Sequence, residues 1–417
     1  MSDLKQILPT LNSHLAIRVI DLYLSKEVSS REFFLKAKLN IIINGTRMAD
    51  FAIDTYSQLY PDKEIPEYLS TFKTKVQSDI NSINLKTSNS FMFFSKSIIE
   101  DLIASDQPQE DIVDKLSSFD DFDAQHVQNL YEHTIFLFSI GNNYQQVCLY
   151  SSYLQKLVPK TSEVYEHTLW LQLISFSLLE KWDEAHKASE NLNSHLLEKY
   201  GNDQRALSKK LIELFNTNLF IYFNHENGLE FLIENMYTSN ESMNALISLS
   251  PYLIKYLIAA LIITVRKLVD NHSTIVGIIT SIKDIYSDPF IDFIQSLYID
   301  YNLSKAPTLI KNCHAYMKEN IFLAEFADVF KTNASMLYVF SHFKLFRKGN
   351  FTELSQKLDL DENELKDRTE KLISDKKLSA KINGNYVEFS GEISNTKRES
   401  LLNKFQEMIE EYHSISD

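Results

Sequence analysis

The chain has 417 residues, 44% hydrophobic and 24% charged, the balance of a folded protein with enough material for a large core. A formal net charge of -14 argues against a protein that coats nucleic acid through bulk attraction. Only 8 Gly and 8 Pro occur, so breakers are too few for a turn-rich β architecture and helices are favoured.

The first section runs from Met1 to about Asp114 and reads as amphipathic helices. Leu15, Ile17, Val19, Ile20, Leu22 and Leu24 crowd one segment, and Phe33, Phe34, Leu35, Leu39, Ile41 and Ile42 crowd the next. Ala49 to Leu59 follows as a third, and the prolines at both ends of Pro61–Pro66 predict a loop. Between Ala104 and Asp123 the composition turns acidic and polar around Pro108, which predicts a soft boundary or exposed connection.

A repeat occupies the second section, 115–334. His126 to Ile140 predicts a helix, Gly141-Asn142-Asn143 a turn and Tyr144 to Leu157 a second helix, closed by Pro159. Val164 to Leu179, Glu180-Lys181 and Trp182 to Leu197 repeat that unit, and Tyr144 and Trp182 follow their turns at a spacing of 38 residues. Phe290 to Tyr301 and Lys305 to Glu319 resemble a third pair. Such pairs cannot cover their apolar faces alone, so they stack into a solenoid. Leu253 to Val265 imitates a membrane span but holds Lys255 and falls short of the ~20 apolar residues a bilayer requires, which favours a buried helix.

The third section, 335–391, has the order of a winged helix. A helix from Phe326 to Phe346 leads in, Phe351 supplies a short strand, Glu353 to Leu358 a brief helix, and Asp361 with Glu364 a capping box for a longer helix. Leu365, Leu372 and Ile373 mark the buried side of that helix. Asn383-Gly384 then favours a type I′ hairpin in which Ala380 faces Val387 and Leu378 faces Phe389, with Lys381 and Glu388 on the other side. The last section, 392–417, carries a helix with Leu401, Leu402, Phe405, Met408, Ile409 and Tyr412 in one stripe. That helix either folds back on its own winged helix or joins a bundle with other chains.

No reactive constellation emerges. All eight glycines are isolated, so no loop clusters the backbone N–H groups that cradle phosphate. His126 and His133, seven apart, fit partly exposed polar positions better than metal ligands, and no Gly-x-Ser-x-Gly elbow organises the serines. Cys148 and Cys313 read as two buried thiols of a reducing compartment. The candidate recognition helix, Glu362 to Ser374, mixes Lys366, Arg368 and Lys371 with Glu362, Glu364, Asp367 and Glu370, which opposes binding to phosphates. The start of the chain lacks the features of a secretion signal, so a cytoplasmic protein, with nuclear presence allowed, is expected. The reading is a non-enzyme without cofactor, metal or small-molecule substrate. Its expected contacts are Leu378, Ala380, Ile382, Tyr386, Val387 and Phe389 in the wing, and the stripe from Leu401 to Tyr412.

Solenoid followed by winged helix resembles the PCI module shared by the proteasome lid, the signalosome and translation initiation factor 3. The closer resemblance is to one PCI family of initiation factor 3, that of its E subunit. It is carried by FFLKAKLNIIINGTRMADFAIDTYSQLY (Phe33–Tyr60), GNNYQQVCLYSSYLQKLVP (Gly141–Pro159), LWLQLISFSLLEKWDEA (Leu169–Ala185), DPFIDFIQSLYIDYNLSKA (Asp288–Ala306) and LSQKLDLDENELKDRTEKLISDKKLSAKI (Leu354–Ile382). These stretches occur in order over most of the chain. Ser95 to Gln125 and the tail after Gly391 depart from the family pattern. The resemblance implies a scaffold that docks with sister subunits, PCI subunits among them. The assembled factor would bind the small ribosomal subunit and promote messenger RNA recruitment. The alternative is a PCI scaffold subunit of the lid or signalosome.

Overall fold

The structure is a computed structural model that describes residues 6–26, 31–105, 107–237, 240–264, 272–346, 348–375 and 380–389. It is helical except for one three-stranded sheet. Contacts divide the chain into two units, Met1–Thr264 with Lys318–Glu325, and Val265–Met317 with Phe326–Asp417.

The larger unit opens with α1 (Ser13–Leu24), α2 (Arg31–Gly45) and α3 (Ala49–Leu59). Ile17, Leu39, Ile42 and Ala52 from these helices form a core cluster with Leu69 of the 28-residue α4 (Glu67–Phe94). The Pro61–Pro66 segment between α3 and α4 is a loop. Short helices α5 (Ser97–Ala104) and α6 (Gln109–Ser117) follow. The acidic stretch around Pro108 is therefore no bare connection. Ile112 and Leu116, one helical turn apart, are fully buried beside Phe93, Phe94, Ile103, Leu130, Leu154 and Leu157. The carboxylates of α6 occupy the opposite, solvated face.

The repeats form as hairpins: α7 (Ala124–Ser139) with α8 (Tyr144–Leu157), then α9 (Glu163–Leu178) with α10 (Trp182–Tyr200). Each packs on the next, and α10 continues onto α11 (Gln204–Asn224). Left-handed backbone closes both turns, with φ of 55° at Asn143 and 57° at Glu180. Asn143 also caps α8 by accepting from the Gln146 N–H at 3.2 Å. Beyond α12 (Gly228–Tyr237) and α13 (Asn240–Leu249) lies α14 (Ile254–Ile263), in which every residue from Ile254 to Ile262 is buried, Lys255 included. Among the described residues no single helix is long and apolar enough to cross a membrane.

One polar contact ties three consecutive helices. The buried Glu166 of α9 accepts from Lys199 (2.7 Å) and Tyr200 (2.9 Å) of α10 and pairs with Lys210 of α11 at 3.1 Å. Burial alone would raise its pKa, but these donors outweigh it and hold the carboxyl at about 2. Its contribution to stability is thus complete above about pH 4.5 and is lost as the pH falls toward 2. Glu166→Gln is expected to cost about 1–3 kcal/mol at neutral pH, since two ammonium groups lose their carboxylate. The urea midpoint, and a flattened acid limb in the variant, check this.

In the smaller unit, α15 (His272–Ile282) precedes α16 (Pro289–Tyr298), which Asp288 caps through the N–H groups of Phe290 (2.9 Å) and Ile291 (3.0 Å). It is followed by α17 (Ala306–Glu319), the third helix pair. Then come α18 (Ala327–Phe346), β1 (Lys348–Asn350), α19 (Phe351–Leu358), α20 (Glu362–Asp375), β2 (Ala380–Asn383) and β3 (Tyr386–Phe389). This is the winged helix, with sheet order β1-β3-β2. Two details differ from the sequence reading. The first strand lies at Lys348–Asn350, and Phe351 instead begins a helix and is fully buried. The hairpin register is also displaced by two residues, so that Ala380 pairs with Phe389.

Candidate interaction surface

The surface expected to meet partners is built on β2 and β3. Its pairs are Ala380 with Phe389, Lys381 with Glu388, Ile382 with Val387 and Asn383 with Tyr386. Ala380 does not face Val387, and the loop is Gly384-Asn385 rather than Asn383-Gly384. Of those loop residues only Gly384 has positive φ (62°), which matches a type II′ turn with Gly at the first central position. The cause is distant in sequence. The Asn385 side chain donates to Thr352 Oγ1 at 3.1 Å and accepts from Lys366 Nζ at 2.8 Å, while its carbonyl accepts from the Phe351 N–H at 2.9 Å. Those ties to α19 and α20 fix Asn385 as a loop residue. A shift of two keeps every side chain on its expected face, because faces alternate with period two.

Sequence reasoning placed six wing residues at this surface. Val387 is fully buried and belongs to the core of the winged helix with Phe351, Leu354, Leu358 and Leu365. Ile382 is half-buried, and Tyr386 is 59% exposed at the mouth of the loop. Ala380 and Phe389 hold paired strand positions. Leu378 and the stripe of Leu401, Leu402, Phe405, Met408, Ile409 and Tyr412 lie outside the described residues. The clamp residues Thr352, Lys366 and Asn385 were not anticipated. The asparagine directly after Asn383-Gly384 was the available signal, a second turn former competing for the loop.

β3 is central, so β2 has one neighbour among the described strands and presents the backbone groups of its outer edge. α20 is a poor nucleic-acid reader. Lys366 pairs with Glu362 at 3.5 Å, and Arg368 Nε donates to Glu364 at 3.0 Å, so two of its cations are neutralised within the helix. Asp361 caps it through the N–H groups of Asn363 (2.9 Å) and Glu364 (3.0 Å).

The larger unit holds a cleft of about 500 Å³ lined by residues that include Asn12, His167, Trp170, Lys210 and Glu213. Its polar groups serve the fold: His167 shares a hydrogen bond with Tyr131 (2.8 Å), and Lys210 pairs with Glu166 and, at 3.8 Å, with Glu213. His126 and His133 do not converge on a common point. His126 meets Ser90 at 3.0 Å and stacks on Phe93, while His133 meets Thr87 at 3.4 Å beside Phe91. Among the described residues no group of three His, Cys, Asp or Glu is placed to hold a metal ion. Both cysteines are free and buried, and burial raises the Cys148 thiol to about 12 and that of Cys313 well above its usual value.

Stacked helical hairpins, with a winged helix in the smaller unit, define a helical-repeat protein. Residues 3–136 match the family described as "eIF3 subunit 6 N terminal domain". The E subunit of eukaryotic translation initiation factor 3 from Bombyx mori is 23% identical over 378 residues, covering 89% of this chain and 84% of that protein. The Arabidopsis thaliana E subunit is 24% identical over 388 residues, with 90% and 86% covered, and the Drosophila ananassae one 22% over 409 residues, with 97% and 91% covered. Residues 3–136 thus match an initiation factor 3 family model, and about nine-tenths of the chain is similar to eukaryotic translation initiation factor 3 E subunits.

Proposed function

We propose that the protein is a non-catalytic scaffold subunit of translation initiation factor 3. Its stacked hairpins set spacing, and the open edge of β2 with the apolar stripe from Leu401 to Tyr412 docks sister subunits, other PCI subunits among them. Through the assembled factor it contributes to small ribosomal subunit binding and messenger RNA recruitment, acting in the cytoplasm. The observation that carries this reading is collinear similarity to E-subunit proteins across about nine-tenths of the chain. The open edge of β2 supports the docking part. Residues 1–114, 115–334, 335–391 and 392–417 serve in this reading as N-terminal helices, solenoid, winged helix and docking tail.

Affinity purification of the tagged protein from native extract, followed by mass spectrometry, tests the assignment. Initiation factor 3 subunits are expected to dominate; proteasome-lid or signalosome subunits would refute it. For the tail, replacing Phe405 and Ile409 with Asp is expected to release the protein from the complex while circular dichroism stays unchanged. Undiminished co-purification of the double variant would remove the docking role of that stripe.

A further inference from the structure

We propose that Asn383, in the wing hairpin, is the chain's preferred site of spontaneous deamidation, a modification carried out by the protein's own backbone. The sequence contains three Asn-Gly pairs, Asn44-Gly45, Asn227-Gly228 and Asn383-Gly384. Glycine on the C-terminal side is the least hindered neighbour for this chemistry, because no Cβ shields its backbone nitrogen. The reaction needs that nitrogen free of hydrogen bonds and able to reach the asparagine side-chain carbonyl carbon.

The fold withholds these conditions from two of the pairs. Gly45 ends α2, where helical geometry commits its N–H, and the Asn44 amide is held by the carbonyl (3.0 Å) and side chain (2.8 Å) of Asn40. Gly228 donates its N–H to the His225 carbonyl at 3.0 Å, and the Asn227 N–H is bound to His225 Nδ1 at 2.9 Å. Asn383-Gly384 is different. Both residues are exposed, and a Cβ built on Gly384 would meet nothing within 4 Å, so the turn stands in open solvent. Gly384 is the first loop residue, so its N–H lies outside the ladder that pairs Asn383 with Tyr386. Asn385 is clamped to α19 and α20, whereas the Asn383 side chain makes no hydrogen bond among the described residues.

The chemistry balances with water as the only co-reactant. The Gly384 amide nitrogen gives its proton to solvent base and attacks Asn383 Cγ, forming a C–N bond. The side-chain amide nitrogen leaves as ammonia, which closes a five-membered succinimide. Water then opens either C–N bond of the ring and yields aspartate or isoaspartate. Isoaspartate routes the backbone through Cβ, adding one methylene at the last pair of the hairpin. The Asn383–Tyr386 pairing cannot survive that insertion, and the register of β2 loosens.

The test is incubation of the full-length protein in mildly alkaline buffer, with peptide mapping at intervals for the mass change from amide to acid and for isoaspartate. The amide at Asn383 is expected to be lost several-fold faster than those at Asn44 and Asn227. In concentrated urea the three rates should converge, since only the fold separates them. Asn383→Gln, whose longer side chain must close a less favourable ring, should abolish the change at that position and leave the other two as they were. Equal rates at the three sites in the folded protein, or the same ranking in urea, would overturn the proposal.

Discussion

Replacing Phe322 with alanine is expected to remove about 3–5 kcal/mol from the stability of the larger unit, the usual cost of deleting a buried aromatic ring. Phe322 lies far along the chain from the helices it meets. Its ring is within 5.3 Å of Phe220, 6.1 Å of Phe223 and 6.2 Å of Tyr256 between centroids, and it is 5% exposed. The segment is shaped to deliver it. The Asn320 side chain accepts from the N–H groups of Phe322 (2.9 Å) and Leu323 (3.2 Å) and donates to the Tyr256 hydroxyl at 3.2 Å. The buried Leu323 follows directly. Truncation would leave a void among rings that their helices hold in place, so collapse recovers little of the loss. A urea titration followed by tryptophan fluorescence reads the effect through Trp170 and Trp182, which both belong to the larger unit. Leu85→Ser is the control: Leu85 is 81% exposed, so its loss should stay within about 0.5 kcal/mol. Equal midpoints for Phe322→Ala and the unmodified protein would mean that the ring anchors nothing.

Local signals in the sequence located most helices, because helix start, turn residue and apolar stripe lie within one window. Ala49–Leu59 and the Gly141–Asn143 turn followed by Tyr144 are as read. Failures came where a distant residue decides. Asn385 sets the hairpin register through Thr352, Lys366 and Phe351, none of which a turn rule consults. The seam of α4 escaped for a similar reason. Thr87 and Ser90 are buried there beside Val76 and Phe94, since their hydroxyls meet His133 and His126 on α7. A polar seam satisfied by polar partners leaves no apolar periodicity to read. In the acidic stretch, Ile112 and Leu116 did carry a helical spacing, but the surrounding carboxylates outweighed it in a reading by composition. The candidate surface was legible as a hairpin with two faces. The depth of Val387 within the fold was not, because alternation gives the face and not what covers it.

Acidification from about pH 6.5 to 4 is expected to destabilise the larger unit, with His14 responsible for up to ~3 kcal/mol. His14 is buried in α1, packs on the Phe138 ring at 4.3 Å and shares a 2.9 Å hydrogen bond with the Tyr144 hydroxyl. Burial lowers its pKa from 6.5 to about 4, and His133 is lowered to about 4 by the same cause. Above pH 6.5 the imidazole is neutral whether the chain is folded or unfolded, and nothing is lost. As the pH falls below 6.5 the unfolded chain takes up a proton that the folded chain refuses, so unfolding gains. The loss levels off near pH 4, where the folded ring also protonates. Tyr144, raised to about 12 by burial, stays neutral throughout this window. His14→Phe keeps a ring against Phe138 and removes the titration, so the slope of stability against pH should flatten. At neutral pH that variant should cost about 1 kcal/mol, because the Tyr144 hydroxyl loses its partner, and Tyr144→Phe added to it should recover most of this cost. Urea midpoints for the unmodified, single and double variants across this pH range decide the matter. A slope that His14→Phe leaves untouched would show that protonation is absorbed elsewhere, and that the contact of α1 with the first hairpin does not sense acid.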